Sequence, residues 1–257
     1  MRKILTRRRV LIGGGLAAGG LAAANWQALA TAETYDPLLR VGESFGMHTQ
    51  RLLMPHRPLA REYRRDQLSA NHPSTGGIGA SYVDPNPTYH AMAQRGFRDW
   101  RLAVGGLVRH PLSLTLGEIV SMPSRTQVTM HSCDEGWSAI GEWRGVQLRR
   151  IVELVGALPQ ARYVVFRCMD TIGGERVWGS IDLLDAIHPQ TLLAYAMNGE
   201  ALPIRHGAPL RLRIELQIGY KNLKHINSIE LVESLDAIDG GMGGLFEKFG
   251  YQWYAGQ

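Results

Sequence analysis

The chain has 257 residues, 45% of them hydrophobic and 20% charged, which is enough for one large globular core or two small ones. Its formal charge of +5 reflects 28 basic against 23 acidic residues, yet residues 1–30 hold Arg2, Lys3, Arg7, Arg8 and Arg9 and no acid. The rest of the chain is therefore near neutral, so the formal charge is no argument for a nucleic-acid binder, which carries a basic face in the mature domain.

Residues 1–30 read as an export signal. A basic start is followed by an apolar run over 10–24 that five glycines dilute, then by the small-residue pattern Ala28, Leu29, Ala30. Residues 6–11, T-R-R-R-V-L, match the twin-arginine form of the signal, which exports folded proteins, so the expected destination is the periplasm. Cleavage is expected at Ala30 or Ala32. An uncleaved anchor is the alternative, but the apolar run is shorter than the ~20 residues a span requires.

Residues 31–96 read as an extended arm, with prolines at 37, 55, 58, 73, 85 and 87 and a short helix expected at 59–63. The core is expected over 97–235. Residues 100–104 alternate like a half-buried strand turned by Gly105 and Gly106, and Thr115 with Glu118 forms a capping box that opens a helix ending before Pro123. A β-branched strand runs toward Cys133. Residues 147–155 carry apolar side chains at 148, 151, 152 and 155, the spacing of a helix face. Strands are expected at 163–169, 210–217 and 226–232, with a helix at 180–187 capped by Ser180 and a hairpin at 191–204 turned by Asn198 and Gly199. Residues 236–257 read as a glycine-rich hinge (Gly240, Gly241, Gly243, Gly244) carrying an aromatic end (Phe249, Tyr251, Trp253, Tyr254) that packs on the core. The fold class expected is α+β, with mixed sheets, short helices and no internal repeat.

Cys133 is one of two cysteines and lies in T-M-H-S-C-D-E-G-W-S-A-I-G-E-W, residues 129–143. Three readings stand side by side: a buried small hydrophobe, a disulfide with Cys168, or a metal thiolate or nucleophile. Gly136 lets backbone approach a ligand. Asp134 and Glu135 disfavour a thiolate unless a cation is near, and a metal would be one.

The segments C-D-E-G-W-S at 133–138, W-R-G-V-Q-L at 143–148, H-G-A-P-L-R-L at 206–212 and G-Y-K-N-L-K at 219–224 together resemble the sulfite-oxidase-fold molybdenum enzymes. They are most similar to the bacterial single-domain branch that includes the catalytic subunit of periplasmic methionine sulfoxide reductase. The resemblance implies a molybdenum–molybdopterin (Mo-MPT) cofactor with Cys133 as the metal ligand. It implies that Arg211, Lys221 and Lys224 meet the pterin phosphate, which needs several donors when buried, and that Asn222 of the same loop belongs to the cofactor-binding set. Asn71 and His72 stand where family members carry an asparagine-bearing pterin segment. His206 replaces a usual asparagine, and Cys168 stands at a pocket-wall position, with a plain core cysteine as the other reading.

The function implied is two-electron oxygen-atom transfer on a small sulfoxide-like or sulfite-like substrate. Asp134 and Glu135 would repel an anion such as sulfite. No haem-binding C-x-x-C-H occurs, so the electrons are expected from a partner, either a membrane b-type haem subunit or a soluble cytochrome. The rival reading is a cofactor-free periplasmic binding domain on the same fold.

Overall fold

The computed structural model describes residues 41–42, 45–46, 48–49, 52–53, 58–76 and 86–257. The chain divides into two units, Met1–Gly46 and Met47–Gln257, and the second is described below. The expected export signal lies outside the described residues. Among those residues, no helix is long and apolar enough to cross a membrane.

In chain order the elements are α1 (Pro87–Gln94), β1 (Arg101–Gly106), β2 (Leu112–Thr115), α2 (Leu116–Ser121), β3 (Ser124–Ser132), β4 (Ser138–Gln147), α3 (Leu148–Val155), β5 (Tyr163–Ile172), β6 (Glu175–Asp182), α4 (Leu183–Ala186), β7 (Leu192–Met197), β8 (Glu200–Ala201), β9 (Arg211–Arg213), β10 (Ile226–Val232) and α5 (Leu245–Lys248). They build two sheets. One has the order β2-β1-β10-β5-β6; the other has the order β3-β4-β7-β8, with β9 also paired to β7. Strands β1 and β10 run parallel, and the other neighbours are antiparallel. The fold is thus α+β, with the first sheet mixed and the second antiparallel.

The main core lies against the first sheet. Leu102 and Val104 alternate inward from β1, and Val164, Val165 and Phe166 make β5 apolar on both faces. Helix α3 buries Leu148, Ile151, Val152 and Val155, each worth roughly 1.5–3 kcal/mol of transfer free energy against the entropy of ordering. It stops at Gly156, whose left-handed φ of 63° suits glycine. The Thr115–Glu118 capping box opens α2 as expected.

Four local expectations give way to tertiary structure. Residues 59–63 are not helical: Tyr63 N–H donates to Val128 O and Glu62 bridges Thr129, so this segment covers the free edge of β3. Ser180 caps no helix. It lies in β6, where Oγ accepts from Trp253 Nε1 at 2.9 Å, and Asp182 caps α4 instead. The strand expected at 210–217 is only Arg211–Arg213, because the Asn222 side chain takes the Ile214 N–H at 3.0 Å and ends the ladder. Strands β2, β4 and β6 and helix α1 were not anticipated; β6 is buried on both faces from Val177 onward, so it shows no period-two pattern.

The tail is fastened at several points. Trp253 is 2% exposed, and Glu247 pairs with Lys221 at 2.6 Å with both side chains buried. Gly244 bridges Gly179, and Gly256 bridges Gln217. Gly243 has φ 93°, and an added Cβ would sit 2.3 Å from the Trp253 ring, so only glycine fits this turn.

Candidate active site

The site is built outward from β3. Its period-two pattern buries Gln127, Thr129 and His131 on one face, and the next residue in that series is Cys133. The β3–β4 hairpin closes beside it: Cys133 N–H donates to Trp137 O at 2.8 Å, and Gly136, with φ 89°, donates to Cys133 O. Cys133 is a free, half-buried thiol 3.9 Å from Thr75 Oγ1 and 3.6 Å from Asp134 Oδ1. Burial pushes this thiol up, and Asp134 and Glu135 push it the same way, against the Glu135 backbone and Thr75. It ionises readily only with a cation at the sulfur.

Cys133 opens onto a cavity of about 350 Å³. On its deep side, β9 alternation turns Arg211 and Arg213 to one face and Leu212 into the main core. Both guanidinium groups lie over the Trp143 ring, at 4.7 and 4.5 Å. Arg213 is neutralised by Glu215, which accepts from Nε at 3.1 Å and from Nη2 at 2.6 Å. Arg211 has no such partner. It donates to the carbonyls of His206 and Asn222, while its buried Nε meets no acceptor among the described residues. Burial, then Arg213, lowers Arg211 to about 9; burial, then Arg211, lowers Lys224 to about 7. A fully buried Arg211 and a partly buried Lys224 in one wall make that wall cationic and favourable to an anion.

Imidazole and indole rings line the same space. His72 packs against His131, Trp143 and His206 with ring centroids 5.6, 5.4 and 5.3 Å away. Burial holds His72 near 4 and His206 near 3 and depresses His131 strongly, so all three are neutral at pH 7. The tautomer of His131 follows from chemistry. Arg213 Nη1 lies 2.8 Å from His131 Nδ1 and can only donate, so Nδ1 accepts and Nε2 carries the proton.

The expected residues separate into two groups. His72, Cys133, His206, Arg211, Asn222 and Lys224 line the cavity. Asn71, Cys168 and Lys221 do not. Asn71 is exposed; Cys168 is fully buried in the core as a free thiol, which also removes the disulfide reading; and Lys221 is committed to Glu247. Two liners do other work than expected. Asn222 spends its amide on Ile214, Gln217 and Ile218, tying its loop. Lys224 Nζ donates to Thr75 O and Gly76 O at 2.7 Å and to Arg205 O at 3.1 Å, pinning residues 74–76 beside Cys133. Sequence reasoning missed His131, Thr75, Phe246 and Gly219. The alternation of β3 pointed to His131, two residues before Cys133.

Gly219 is where the loop after β9 crosses this hairpin. An added Cβ would lie 3.1 Å from Cys133 Cα and 3.4 Å from His131 Nε2. Gly219→Ala is expected to cost about 1 kcal/mol or more by overpacking and to shift the Cys133 turn, which a lowered melting temperature would show. Gly105→Ala, whose Cβ would meet nothing within 4 Å, is the control.

The model of the oxidoreductase molybdopterin-binding domain matches residues 89–236, more than half of the chain. The chain belongs to this family. A putative protein-methionine-sulfoxide reductase subunit, YedZ1 of Azospira oryzae, is 34% identical over 252 residues, covering 98% of this chain and 88% of that protein. The protein-methionine-sulfoxide reductase catalytic subunit MsrP of Xanthomonas axonopodis pv. citri is 33% identical over 62% of this chain and 52% of its own length. The MsrP of Campylobacter jejuni is 30% identical over 53% of this chain and 50% of its own. The chain therefore spans most of the first relative and about half of the other two. The sulfane dehydrogenase SoxCD of Paracoccus pantotrophus shares the fold, with a TM-score of 0.50, 22% identity and coverage of 53% of this chain and 39% of that one.

The protein is thus a molybdopterin-dependent oxidoreductase with a molybdenum–molybdopterin cofactor, which decides against a cofactor-free binding domain. The residues present suit that group. The orphaned Arg211 Nε and the buried His72 Nε2 await polar partners. The imidazoles of His72, His131 and His206 and the Trp137 indole add ring nitrogens and apolar ring surface to the same cavity. Among the described residues no three His, Cys, Asp or Glu side chains converge on one ion.

Proposed function

We propose that this chain is the catalytic unit of a periplasmic sulfoxide reductase, with Cys133 as the protein ligand of molybdenum. The observation that carries this reading is the opening of the Cys133 thiol into one cavity with Arg211, Lys224 and the three neutral histidines. The names of the three relatives support a sulfoxide as the oxygen donor, and the acidic pair after Cys133 argues against sulfite.

When bound, the cofactor supplies a two-electron redox centre for oxygen-atom transfer. The chain's part is to seat and orient it. Arg211 offers a buried donor to its anionic end, and Lys224 holds residues 74–76 in place beside Cys133. His131 presents Nε2–H as a donor of fixed orientation on the Cys133 face of β3. Electrons come from a separate partner, a membrane b-type haem subunit or a soluble cytochrome. The test is molybdenum analysis of protein matured with its signal intact, followed by reduction of an uncharged sulfoxide with an artificial electron donor. Metal-free protein or absence of turnover overturns the reading.

Two predictions belong to this reading. A donor to a buried charged group is worth about 1.5–3 kcal/mol, so Arg211→Ala should lower cofactor occupancy at least roughly tenfold when cofactor is limiting. Lys224→Ala should do the same by releasing residues 74–76. Molybdenum and pterin content are measured against Lys248→Ala, an exposed surface pair with Glu175; occupancy equal to that control in both variants refutes the anion site. For localisation, replacing Arg7 and Arg8 with lysine should leave precursor in the cytoplasm, as fractionation reads directly. Normal export of that variant would refute the twin-arginine signal.

A further inference from the structure

The cavity is graded in charge and polarity, and its outer part comes from a segment that the family model does not reach. The deep wall is cationic, with Arg211 2% exposed. Toward solvent the lining changes to the exposed Asp134 and Glu135 and to three aromatic side chains of the tail, Phe246, Phe249 and Tyr251. These three lie beyond residue 236, where the family match ends.

The tail does not lie there by loose contact. Lys221–Glu247 and Trp253–Ser180 fasten the chain on either side of residues 249–251. The Tyr251 ring packs on Tyr220 at 4.9 Å and on Phe246 at 5.6 Å, and the Tyr251 hydroxyl donates to the Asp134 carboxylate, one residue from Cys133. Phe249 remains 53% exposed and Tyr251 39% exposed at the rim. Glu135 accepts from Trp137 Nε1 at 3.2 Å, which holds the second carboxylate beside the first. A fastened aromatic wall facing two fixed carboxylates gives an apolar body a surface to pack on, and it repels an anion.

We propose that the C-terminal tail is the substrate-selecting wall of this site: Phe246, Phe249 and Tyr251, with Asp134 and Glu135, admit an uncharged or cationic substrate with an apolar body and reject an anionic one. This rests on the sulfoxide reductase reading and names the substrate class within it.

The experiment uses the holoenzyme and three sulfoxides of one shape: methyl phenyl sulfoxide, its para-carboxylate and its para-aminomethyl derivative. The wild-type kcat/KM should be at least tenfold lower for the carboxylate than for the other two. The double variant Asp134→Asn, Glu135→Gln should bring the carboxylate to within about threefold of the neutral compound. Phe249→Ala should raise KM for methyl phenyl sulfoxide about fivefold or more, leave kcat within twofold and leave dimethyl sulfoxide, which has no ring, unchanged.

Binding is read independently of turnover by titrating methyl phenyl sulfone, an unreactive analogue, calorimetrically, and its Kd should rise in Phe249→Ala by the same factor as KM. If wild type reduces none of the sulfoxides yet loses sulfone affinity in Phe249→Ala, the reaction assignment falls and the selecting wall stands. If wild type reduces sulfoxides but Phe249→Ala changes neither KM nor Kd, or the three charge forms react alike, the wall is overturned.

Discussion

Cys133→Ser is expected to lower turnover at least a thousandfold while leaving the fold in place. A serine hydroxyl is a harder ligand than a thiol and does not ionise near neutral pH, so it offers molybdenum no comparable bond. The fold survives because Cys133 is only half-buried, and its backbone, not its side chain, closes the β3–β4 hairpin with Trp137 and Gly136. A stability change within about half a kcal/mol is expected, as for a surface substitution. The measurements are sulfoxide turnover, molybdenum content and thermal unfolding of the same preparation. Turnover above a tenth of wild type with metal bound would remove Cys133 from the ligand role.

The second large effect concerns the charge network beneath the site. Glu215 is fully buried and accepts two bonds from Arg213 and one from Gln127 Nε2 at 2.8 Å. Glu215→Ala strands the Arg213 guanidinium in a dry interior beside Arg211, a change that typically costs about 3–5 kcal/mol. At roughly 2–4 °C per kcal/mol for a chain of this size, melting should fall by the order of 10 °C.

A second variant separates lost charge balance from lost packing. Arg213→Met with Glu215→Leu removes both charges, so it should recover much of the stability lost in Glu215→Ala. The same double variant frees His131 Nδ1 from its donor and lets the ring change tautomer. Cofactor content should therefore fall below wild type even where stability returns. Equal stability of Glu215→Ala and wild type would show that the pair carries no net charge balance.

Much of the architecture was readable because its signals are local. The i, i+3, i+4, i+7 apolar spacing of α3, the Thr115–Glu118 box of α2, the Asn198–Gly199 turn and the run of β3 into Cys133 each depend on residues a few positions apart. The four family segments likewise pointed to the cofactor class, and Arg211, Lys224, His72 and His206 meet in the cavity.

Where each cation points was not readable. Lys221 and Lys224 stand three residues apart in one motif, yet the first is bound to Glu247 of the tail and the second to carbonyls of residues 75, 76 and 205. Their partners lie up to 149 residues away along the chain, so only the completed fold selects among them. The tail shows the same limit: its composition suggested an aromatic end, but its place at the cavity mouth depends on Trp253 reaching Ser180 of β6 and Tyr251 reaching Asp134. Periodicity and capping are set by neighbouring residues and can be read from one chain. A pocket wall is set by the packing of two sheets, an arm and a tail, and the tertiary structure alone decided which side chains share it.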